Sequence, residues 1–290
     1  MRNKNTVCFI GGDERQKYAA ESLAEHININ TVGEIFTDVK HSYVKHFENP
    51  LKAICGVDAI VLPLPAASCE RIISFTSFTE NLSALSSKAL VLGGRFSPYL
   101  RGLLEDRSVK YVDYYENESF ALRNAYLTAE GAVQLAMGTL KKSLGRSKIA
   151  IIGYGRIGKA LGSLLSAFHA DTTVFARRHE VRVLAEEEGL KARKANFHNE
   201  SIFEEHETFD VIFNTVPERI IPNELLISLP EETAIIELAS PPGGFDADIA
   251  VQSGIEVING RGLPGKYAPE TAGRIVAETV LQYLIQEEIL

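Results

Sequence analysis

Three closely spaced glycines form the most specific chemical motif of the chain. Gly153, Gly155 and Gly158 follow an apolar run and open a segment with helical periodicity, predicted as a helix over 157–168. The first glycine permits a tight turn, the second leaves room for a pyrophosphate, and the third lets the helix pack close to the strand. The helix N-terminus then offers N–H groups to the phosphates, and this context disfavours a ligand-free turn. The predicted cofactor-binding residues here are Gly153, Tyr154, Gly155, Arg156, Ile157 and Gly158.

Two arginines, Arg177 and Arg178, follow the next predicted strand, residues 173–176. A site specific for NAD(H) usually has an acidic residue there, which bonds the ribose 2′-hydroxyl and repels a 2′-phosphate. A guanidinium can instead bind that phosphate through paired hydrogen bonds. The pair therefore favours NADP(H) over NAD(H), and a solvated arginine pair at a strand end is the alternative.

Two later loops also follow predicted strands of the same sheet. Ligands of open parallel sheets bind outside the carboxyl ends of the strands, so loops at these positions are candidates for contact with the ribose and nicotinamide. Small residues and prolines would make them rigid, although the same residues also serve as plain turns. The residues that we add to the predicted cofactor site are Thr215, Val216, Pro217, Ala239 and Ser240.

Cationic side chains near other predicted strand ends are candidates for binding a substrate. Arg15 lies in the first turn of a helix, where the helix dipole and the guanidinium could together hold a carboxylate. Arg95 follows a glycine pair at the end of another strand, and Lys266 lies in an unusual loop at 261–273. A surface ion pair for Arg15 and simple exposure for Lys266 are alternatives that the sequence leaves open.

The charge balance argues against several classes of partner. The chain has a net charge of -8 and no run of Lys or Arg, so we expect neither nucleic acid nor anionic lipid as a partner. Its three cysteines lack CxxC spacing and its histidines are scattered, so neither a disulfide framework nor a metal site is predicted. The polar start runs into a short apolar strand, which is too short for a signal sequence or a membrane span. We therefore expect a soluble, cytoplasmic protein.

Short β-type runs alternate with helical segments along the whole chain, a pattern typical of parallel sheets with crossover helices. Five strands are predicted in the first half, at 7–10, 29–32, 59–62, 89–92 and 109–112. Five are predicted in the second half, at 148–152, 173–176, 210–214, 234–238 and 255–258. The predicted fold class is α/β, with two doubly wound parallel-sheet domains, of which the second is a Rossmann NAD(P)-binding domain.

Two helices define the predicted domain organisation. One begins near Thr128 and stops by Gly145, and the other begins at Pro269 and has a continuous apolar stripe. We predict a substrate and catalytic domain at 1–124, to which the helix at 268–290 returns, and a cofactor domain at 125–267. Two crossing helices would leave a cleft between the sheets, and the last helix could pack within the subunit or against a second copy in a homodimer.

Several motifs together resemble one family over nearly the whole chain, in the same order. They are Ile10-Gly11-Gly12-Asp13-Glu14-Arg15-Gln16, Glu130-Gly131, Leu238-Ala239-Ser240 with Pro242-Gly243-Gly244, and Gly262-Leu263-Pro264-Gly265 with Ala268-Pro269 and Thr271-Ala272-Gly273. The family is that of the dipicolinate synthase A subunit. The second half is also similar to D-2-hydroxyacid dehydrogenases, but the His-carboxylate pair that those enzymes use late in the chain is missing.

The resemblance implies a reaction and a partner. The reaction is the oxidation of dihydrodipicolinate to pyridine-2,6-dicarboxylate with NADP⁺ as acceptor, in the mother cell of a sporulating bacterium. The partner is the B subunit of dipicolinate synthase, a smaller flavoprotein that binds FMN. Two substrate carboxylates need at least two cationic or helix-end anchors, for which Arg15, Arg95 and Lys266 are the candidates. Glu130 or a water is the candidate proton acceptor.

Two other functions remain open at the level of sequence. One is an NADP-dependent reductase of the D-2-hydroxyacid dehydrogenase type, which the missing histidine disfavours. The other is a nucleotide-binding subunit that supports a catalytic flavoprotein without turning over itself.

Overall fold

The structure, a computed structural model, describes residues 5–80, 89–195, 203 and 207–290. The chain divides into two units by its internal contacts. Unit 1 consists of Met1–Asn124 and Gly265–Leu290, and unit 2 consists of Ala125–Pro264. Unit 1 is therefore assembled from two separate stretches of chain, whereas unit 2 is continuous.

Each unit contains one parallel sheet, and within the described residues each sheet has six strands. The strands of unit 1 are β1 (Thr6–Ile10), β2 (Asn28–Val32), β3 (Val44–Phe47), β4 (Ala59–Val61), β5 (Leu90–Gly93) and β6 (Lys110–Asp113). The strands of unit 2 are β7 (Lys148–Ile152), β8 (Asp171–Ala176), β9 (Lys191–Lys194), β10 (Val211–Asn214), β11 (Ala234–Glu237) and β12 (Glu256–Asn259).

Helices connect the strands. They are α1 (Glu14–Leu23), α2 (Pro50–Ala53), α3 (Phe75–Glu80), α4 (Pro98–Asp106), α5 (Glu118–Thr139), α6 (Arg156–Ala167), α7 (His179–Glu187), α8 (Asn223–Ser228), α9 (Ala247–Gln252), α10 (Leu263–Tyr267) and α11 (Pro269–Gln286). Short 3-10 turns lie at Glu34–Phe36, Ala66–Arg71, Tyr114–Glu116 and Leu144–Arg146. Among the described residues, none of these helices combines the length and the apolar character needed to cross a membrane.

The two sheets have the same topology. The order in unit 1 is β3-β2-β1-β4-β5-β6, and the order in unit 2, read from its other edge, is β9-β8-β7-β10-β11-β12. In both sheets the first strand lies in the middle, the next two strands extend the sheet to one edge, and the last three strands extend it to the other edge. All paired strands are parallel, so their carboxyl ends share one edge of each sheet. The α/β fold class predicted from the sequence is confirmed.

Helix α11 packs directly on α1 and so completes unit 1. A Cβ atom on Gly273 would lie 2.6 Å from the carbonyl oxygen of Arg15 and 2.6 Å from Cβ of Tyr18, so only a glycine permits this close approach. Apolar residues on both helices are buried, among them Ala19, Ala20, Ala272, Val276 and Val280. The apolar stripe read from the sequence of the last helix is therefore a packing surface within unit 1.

Two edge strands, β3 and β9, were absent from the strand predictions. Their sequences are Val44-Lys45-His46-Phe47 and Lys191-Ala192-Arg193-Lys194, and no residue of either is fully buried. Edge strands commonly carry charged side chains, which discourage pairing with other chains. The apolar runs used to predict strands mark the buried centre of a parallel sheet and miss such edges.

The long helix α5 begins at Glu118, about ten residues before the predicted start. The aromatic and polar stretch before Thr128, which indicated a boundary by composition, is in part the first turns of this helix. Phe120 and Ala121 are buried there, and Phe120 packs edge-on against Tyr114 with ring centroids 5.1 Å apart. Composition alone therefore indicated a boundary in a stretch where the chain has already entered a helix.

Candidate functional site

The turn after β7 shows why three glycines occur there. Gly153 has a φ of +90°, and a Cβ on it would lie 2.5 Å from Thr215 Oγ1 and 2.6 Å from Val216 Cγ2. Gly158 is equally constrained, because a Cβ there would lie 2.3 Å from the carbonyl oxygen of Gly153. These two glycines let the turn pack against the loop after β10 and let α6 pack against the turn.

Gly155 differs from the other two glycines of the motif. Its φ of -82° is accessible to any residue, and a Cβ on it would have no described neighbour within 4 Å. It is the N-cap of α6, and it has no side chain to accept hydrogen bonds from the N–H groups of the first turn. The turn thus has open space in front of a helix N-terminus, the arrangement that suits a phosphate.

Tyr154 turns its side chain away from this space. It is 5% exposed and belongs to the apolar core of unit 2. Its hydroxyl donates a hydrogen bond to Glu188. Burial, and then the hydrogen bond and charge of Glu188, raise the pKa of the Tyr154 phenol well above its usual value. Within the predicted cofactor site, Tyr154 therefore has its main chain at the turn and its side chain in the core.

Arg177 and Arg178 lie in the loop that follows β8. Their side chains are 58% and 74% exposed, and each lies near an exposed carboxylate, Glu218 at 3.9 Å and Glu180 at 3.4 Å. Exposed ion pairs of this kind contribute at most about 1 kcal/mol. Both guanidinium groups are therefore accessible to an anion at the carboxyl end of β8.

Two more cations lie at this edge of the sheet and were missed by the sequence analysis. Arg182 donates from Nη1 to the carbonyl oxygens of Ala176 and Arg177, at 3.0 and 2.7 Å, and so holds the loop. Lys194 is exposed and pairs with Ala176 across β8 and β9. The position of Lys194 beside Ala176 could not be inferred from the sequence, because β9 was not predicted as a strand.

The carboxyl ends of β10 and β11 are joined by a buried carboxylate. Glu237 is 6% exposed and Asn214 is fully buried. Asn214 Nδ2 donates to Oε1 and Oε2 of Glu237 at 2.9 and 3.1 Å. The main-chain N–H groups of Ala239 and Gly244 also donate to this carboxylate, at 2.8 and 2.9 Å. The sequence analysis included Asn214 and Glu237 only as residues of the strands predicted at 210–214 and 234–238, and it missed this role.

The predicted cofactor residues of these two loops lie around that carboxylate. Thr215 donates from Oγ1 to the carbonyl oxygen of Ile152, at 2.9 Å, which ties the loop after β10 to β7. Ala239 accepts a hydrogen bond from Arg261 Nε at 2.8 Å. Ala239 is buried, Ser240 and Val216 are half-buried, and Pro217 is exposed. The loops that carry these residues are therefore held by named hydrogen bonds at one edge of the sheet.

In unit 1, the side chain of Arg15 joins its own helix turn to the loop after β4. Its guanidinium is largely buried and donates to Asp13, with Nη2 to Oδ2 at 2.7 Å, and to the carbonyl oxygen of Leu64 at 2.8 Å. A Cβ on Gly265 would lie 2.7 Å from Asp13 Oδ2 and 2.8 Å from Arg15 Nε. Burial opposes the charge of Arg15, but the hydrogen bond and charge of Asp13 outweigh it and raise its pKa.

Arg95 has a strained backbone at the end of β5. Its φ of +57° lies in the left-handed region, which costs a non-glycine residue about 1–2 kcal/mol. Asp113 holds it there by accepting from the N–H groups of Arg95 and Phe96, both at 2.9 Å. The exposed guanidinium lies over the ring of Tyr115, 4.7 Å from its centroid. Strain of this kind is often found at functional positions.

Lys266 and Glu130, the remaining candidates for substrate binding and proton transfer, are both exposed. Lys266 lies on α10, next to Gly265, and so belongs to the part of unit 1 that contains Asp13 and Arg15. Glu130 lies on α5, within unit 2. Arg15 on α1, Arg95 after β5 and Lys266 on α10 are thus in one unit, and Glu130 is in the other. Within the described residues, no group of His, Cys, Asp and Glu side chains could hold a metal ion.

Comparison with known proteins gives consistent results over the whole chain. The family model for the N-terminal domain of the dipicolinate synthase A subunit matches residues 6–115. The A subunit of dipicolinate synthase from Bacillus subtilis (strain 168) is 30% identical over 291 residues, which cover 97% of this chain and 96% of that protein. The crystal structure of dipicolinate synthase, A chain, from Bacillus subtilis has a TM-score of 0.84 at 26% identity and covers 100% of this chain and 98% of that one.

More distant structures share the fold. A transhydrogenase from Sinorhizobium meliloti has a TM-score of 0.69 at 13% identity, and the match covers 98% of this chain and 94% of that one. At this identity the likeness shows the fold alone. Because the Bacillus subtilis relative matches along nearly its full length, the chain belongs to the family of the dipicolinate synthase A subunit.

Proposed function

We propose that this protein oxidises dihydrodipicolinate to pyridine-2,6-dicarboxylate with NADP⁺, as a subunit of a dipicolinate synthase. The observation that carries the proposal is the turn after β7, where Gly155 leaves open space before α6 and exposed arginines follow the neighbouring strand β8. Membership of the family supports the choice of substrate.

The residues around the turn fit a nicotinamide dinucleotide. The pyrophosphate would take the space at Gly155, where the first-turn N–H groups of α6 attract negative charge. Arg177 and Arg178 would hold the 2′-phosphate, with Lys194 beside them and with Arg182 fixing the loop. Thr215, Val216, Pro217, Ala239 and Ser240 would then line the ribose and nicotinamide. When bound, this cofactor accepts the hydride that leaves the substrate.

The substrate is a dianion, so unit 1 must supply cations or helix ends to bind it. Arg95 and Lys266 are exposed and charged, and we assign them the carboxylates. Arg15 already bonds Asp13 and Leu64, and we assign it the support of this surface together with any contact that its remaining N–H groups make.

In this reaction the main role of the protein is to position the substrate. Dihydrodipicolinate loses a hydride to NADP⁺ and a proton to a base, and the ring becomes aromatic, which provides most of the driving force. The side chains would hold and orient the dianion for hydride transfer. Glu130 is our candidate for the proton acceptor, with a water as the alternative.

We also propose that the chain acts in the cytoplasm of a sporulating mother cell, together with the B subunit of the synthase, a flavoprotein that binds FMN. The name of the family supports a multi-subunit enzyme. A role as a nucleotide-binding support for that flavoprotein, without turnover of its own, is the competing proposal.

A coupled assay separates these proposals. The purified chain is mixed with NADP⁺ and freshly generated dihydrodipicolinate, with and without the flavoprotein, and the absorbance of NADPH is followed. NADPH formation by the chain alone supports a complete site, and formation only with the partner supports a shared one. If no combination forms NADPH, the proposed reaction is wrong. Product formed by the flavoprotein without NADPH would establish the supporting role instead.

A further inference from the structure

Gln16 has a buried side-chain amide without a partner. The residue is 2% exposed, and neither Nε2 nor Oε1 makes a hydrogen bond to any described part of the chain. A buried polar group left unpaired costs about 1–3 kcal/mol, and such groups are rare in native proteins. This amide therefore needs a physical explanation.

The N-cap of α1 does not explain why the amide of Gln16 is unpaired. Gln16 is the third residue of α1, whose N-cap is Asp13. A glutamine at this position often bonds back to the main-chain N–H of the N-cap residue, which closes a capping box. Here the cap is made by Asp13 alone, which accepts from the N–H of Arg15 at 3.1 Å. The amide of Gln16 is left out of the cap.

The side chain lies instead against the turn between β1 and α1. Gly12 has a φ of +105°, and a Cβ on it would lie 2.5 Å from Gln16 Cγ and 2.9 Å from Pro63 Cβ. Gly12 thus lets Gln16 and the loop after β4 come together beneath the turn. This is the carboxyl edge of the unit 1 sheet, where ligands of doubly wound sheets bind.

The charges at this turn do not exclude an anion. Asp13 is balanced by Arg15, with Nε and Nη2 both donating to it, and Glu14 is exposed. The N–H groups of Gly12 and Asp13 make no hydrogen bond within the described residues, and they lie at the positive end of the α1 dipole. An unpaired amide and main-chain donors therefore occur together at the N-terminus of a helix ten residues long.

We propose that Gln16 binds the substrate at this turn, with its side chain turning from the buried position so that the amide meets the ligand. An amide presents a donor and an acceptor side by side, so the matching ligand presents an acceptor and a donor side by side. A carboxylate next to a ring N–H or a hydroxyl has this arrangement, with Nε2 donating to the carboxylate and Oε1 accepting from the second group. The ligand class is a small cyclic carboxylic acid, and this assignment rests on the proposed function.

The replacement Gln16→Met distinguishes binding from a structural role. Methionine has nearly the same length and shape but forms no such hydrogen bonds. If the amide is unpaired in the free protein, its removal leaves the melting temperature unchanged or raises it. A structural role would predict a lower melting temperature. Gln286→Met, at an exposed position of α11, is the matched control.

The test is calorimetric titration with two probes, pyridine-2,6-dicarboxylate and piperidine-2,6-dicarboxylate, of which the second carries a ring N–H. We expect Gln16→Met to weaken both at least tenfold, with the larger loss for the piperidine, while NADP⁺ affinity stays within twofold of the parent and Gln286→Met binds like the parent. Unchanged probe affinity in Gln16→Met, or a melting temperature several degrees lower, overturns this inference alone. If the parent protein binds neither probe, both this inference and the proposed function are overturned.

Discussion

Asn214 and Glu237 end neighbouring strands and are joined by a buried hydrogen bond from Nδ2 of the amide to both carboxylate oxygens, at 2.9 and 3.1 Å. They pair directly across β10 and β11. The same carboxylate accepts from the N–H groups of Ala239 and Gly244, so it fixes the start and the end of the loop at 239–244. Within the described residues, each of these partners is a donor, so each contact needs an acceptor at position 237.

The replacement Glu237→Gln should therefore destabilise unit 2. The new amide would turn an NH₂ group toward a donor and leave at least one hydrogen bond to a charged group unmade, at a cost of about 1.5–3 kcal/mol. Urea denaturation measures this cost. Glu256→Gln, at an exposed position of the adjacent strand β12, should change the free energy of unfolding by less than about 0.5 kcal/mol. Equal effects of the two replacements would contradict the assigned network.

Arg177→Asp should change the choice of cofactor. Loss of a guanidinium bond to the 2′-phosphate removes about 1.5–3 kcal/mol, which weakens NADP⁺ about 10- to 100-fold. NAD⁺ has no such phosphate, so its dissociation constant should change less than about threefold. Fluorescence titration with both nucleotides measures the difference. Arg274→Asp makes the same charge change at an exposed position of α11 and should affect neither nucleotide. Equal weakening of both nucleotides by Arg177→Asp would show that this side chain does not contact the phosphate.

Gly155→Ser should weaken cofactor binding without lowering the stability of the fold. The position has room for a side chain, and serine is a better N-cap than glycine, so the free energy of unfolding should stay the same or rise by a few tenths of a kcal/mol. The hydroxyl would occupy the phosphate space and compete for the N–H groups of α6, so we expect at least tenfold weaker cofactor binding.

Gly158→Ala is the matched contrast to Gly155→Ser. Its methyl group would meet the carbonyl oxygen of Gly153 at 2.3 Å, so here stability itself should fall, by about 1–3 kcal/mol. Thermal unfolding and nucleotide titration of both variants test the pair. Undiminished nucleotide binding by Gly155→Ser would place the phosphates elsewhere.

Cys69 should make the protein sensitive to alkaline pH. Burial raises the pKa of its thiol from 9.0 to about 12. Above pH 9 the unfolded chain loses this proton while the folded chain keeps it, so the free energy of unfolding falls as pH rises from about 9 to about 12. The contribution of one thiol is at most about 1.4 kcal/mol per pH unit. Cys69→Ala should reduce the slope in urea denaturation series across this range, and Cys55→Ala, which alters an exposed thiol, is the matched control. An identical slope in Cys69→Ala would contradict the assignment.

The sequence was sufficient for the central strands and for the glycine turn. Strands such as β7 and β10 are continuous apolar runs because both faces of a parallel sheet are covered, and a run of this kind is visible without any tertiary information. The glycine spacing likewise reports a local need of the backbone, and α6 begins one residue from its predicted start. The edge strands β3 and β9 lacked such a signal because they are half-exposed and charged.

Side-chain roles were harder to predict, because they depend on contacts between distant parts of the chain. Arg15 had a plausible role as a free anchor until the structure placed it on Leu64, which is 49 residues away. Asp113 holds Arg95 across 18 residues, and no local pattern indicates this. The unpaired amide of Gln16 is likewise visible only after the loop containing Pro63 is in place.

The two separate stretches of unit 1 have a consequence for synthesis of the chain. Unit 2 is continuous, so it can close as soon as residue 264 has left the ribosome. The sheet of unit 1 is made earlier, but α1 lacks its packing partner until α11 is complete. During translation, Ala19, Ala20 and Leu23 of α1 therefore lack this packing partner until a helix encoded more than 240 residues later has been synthesised, whereas unit 2 can form before that helix.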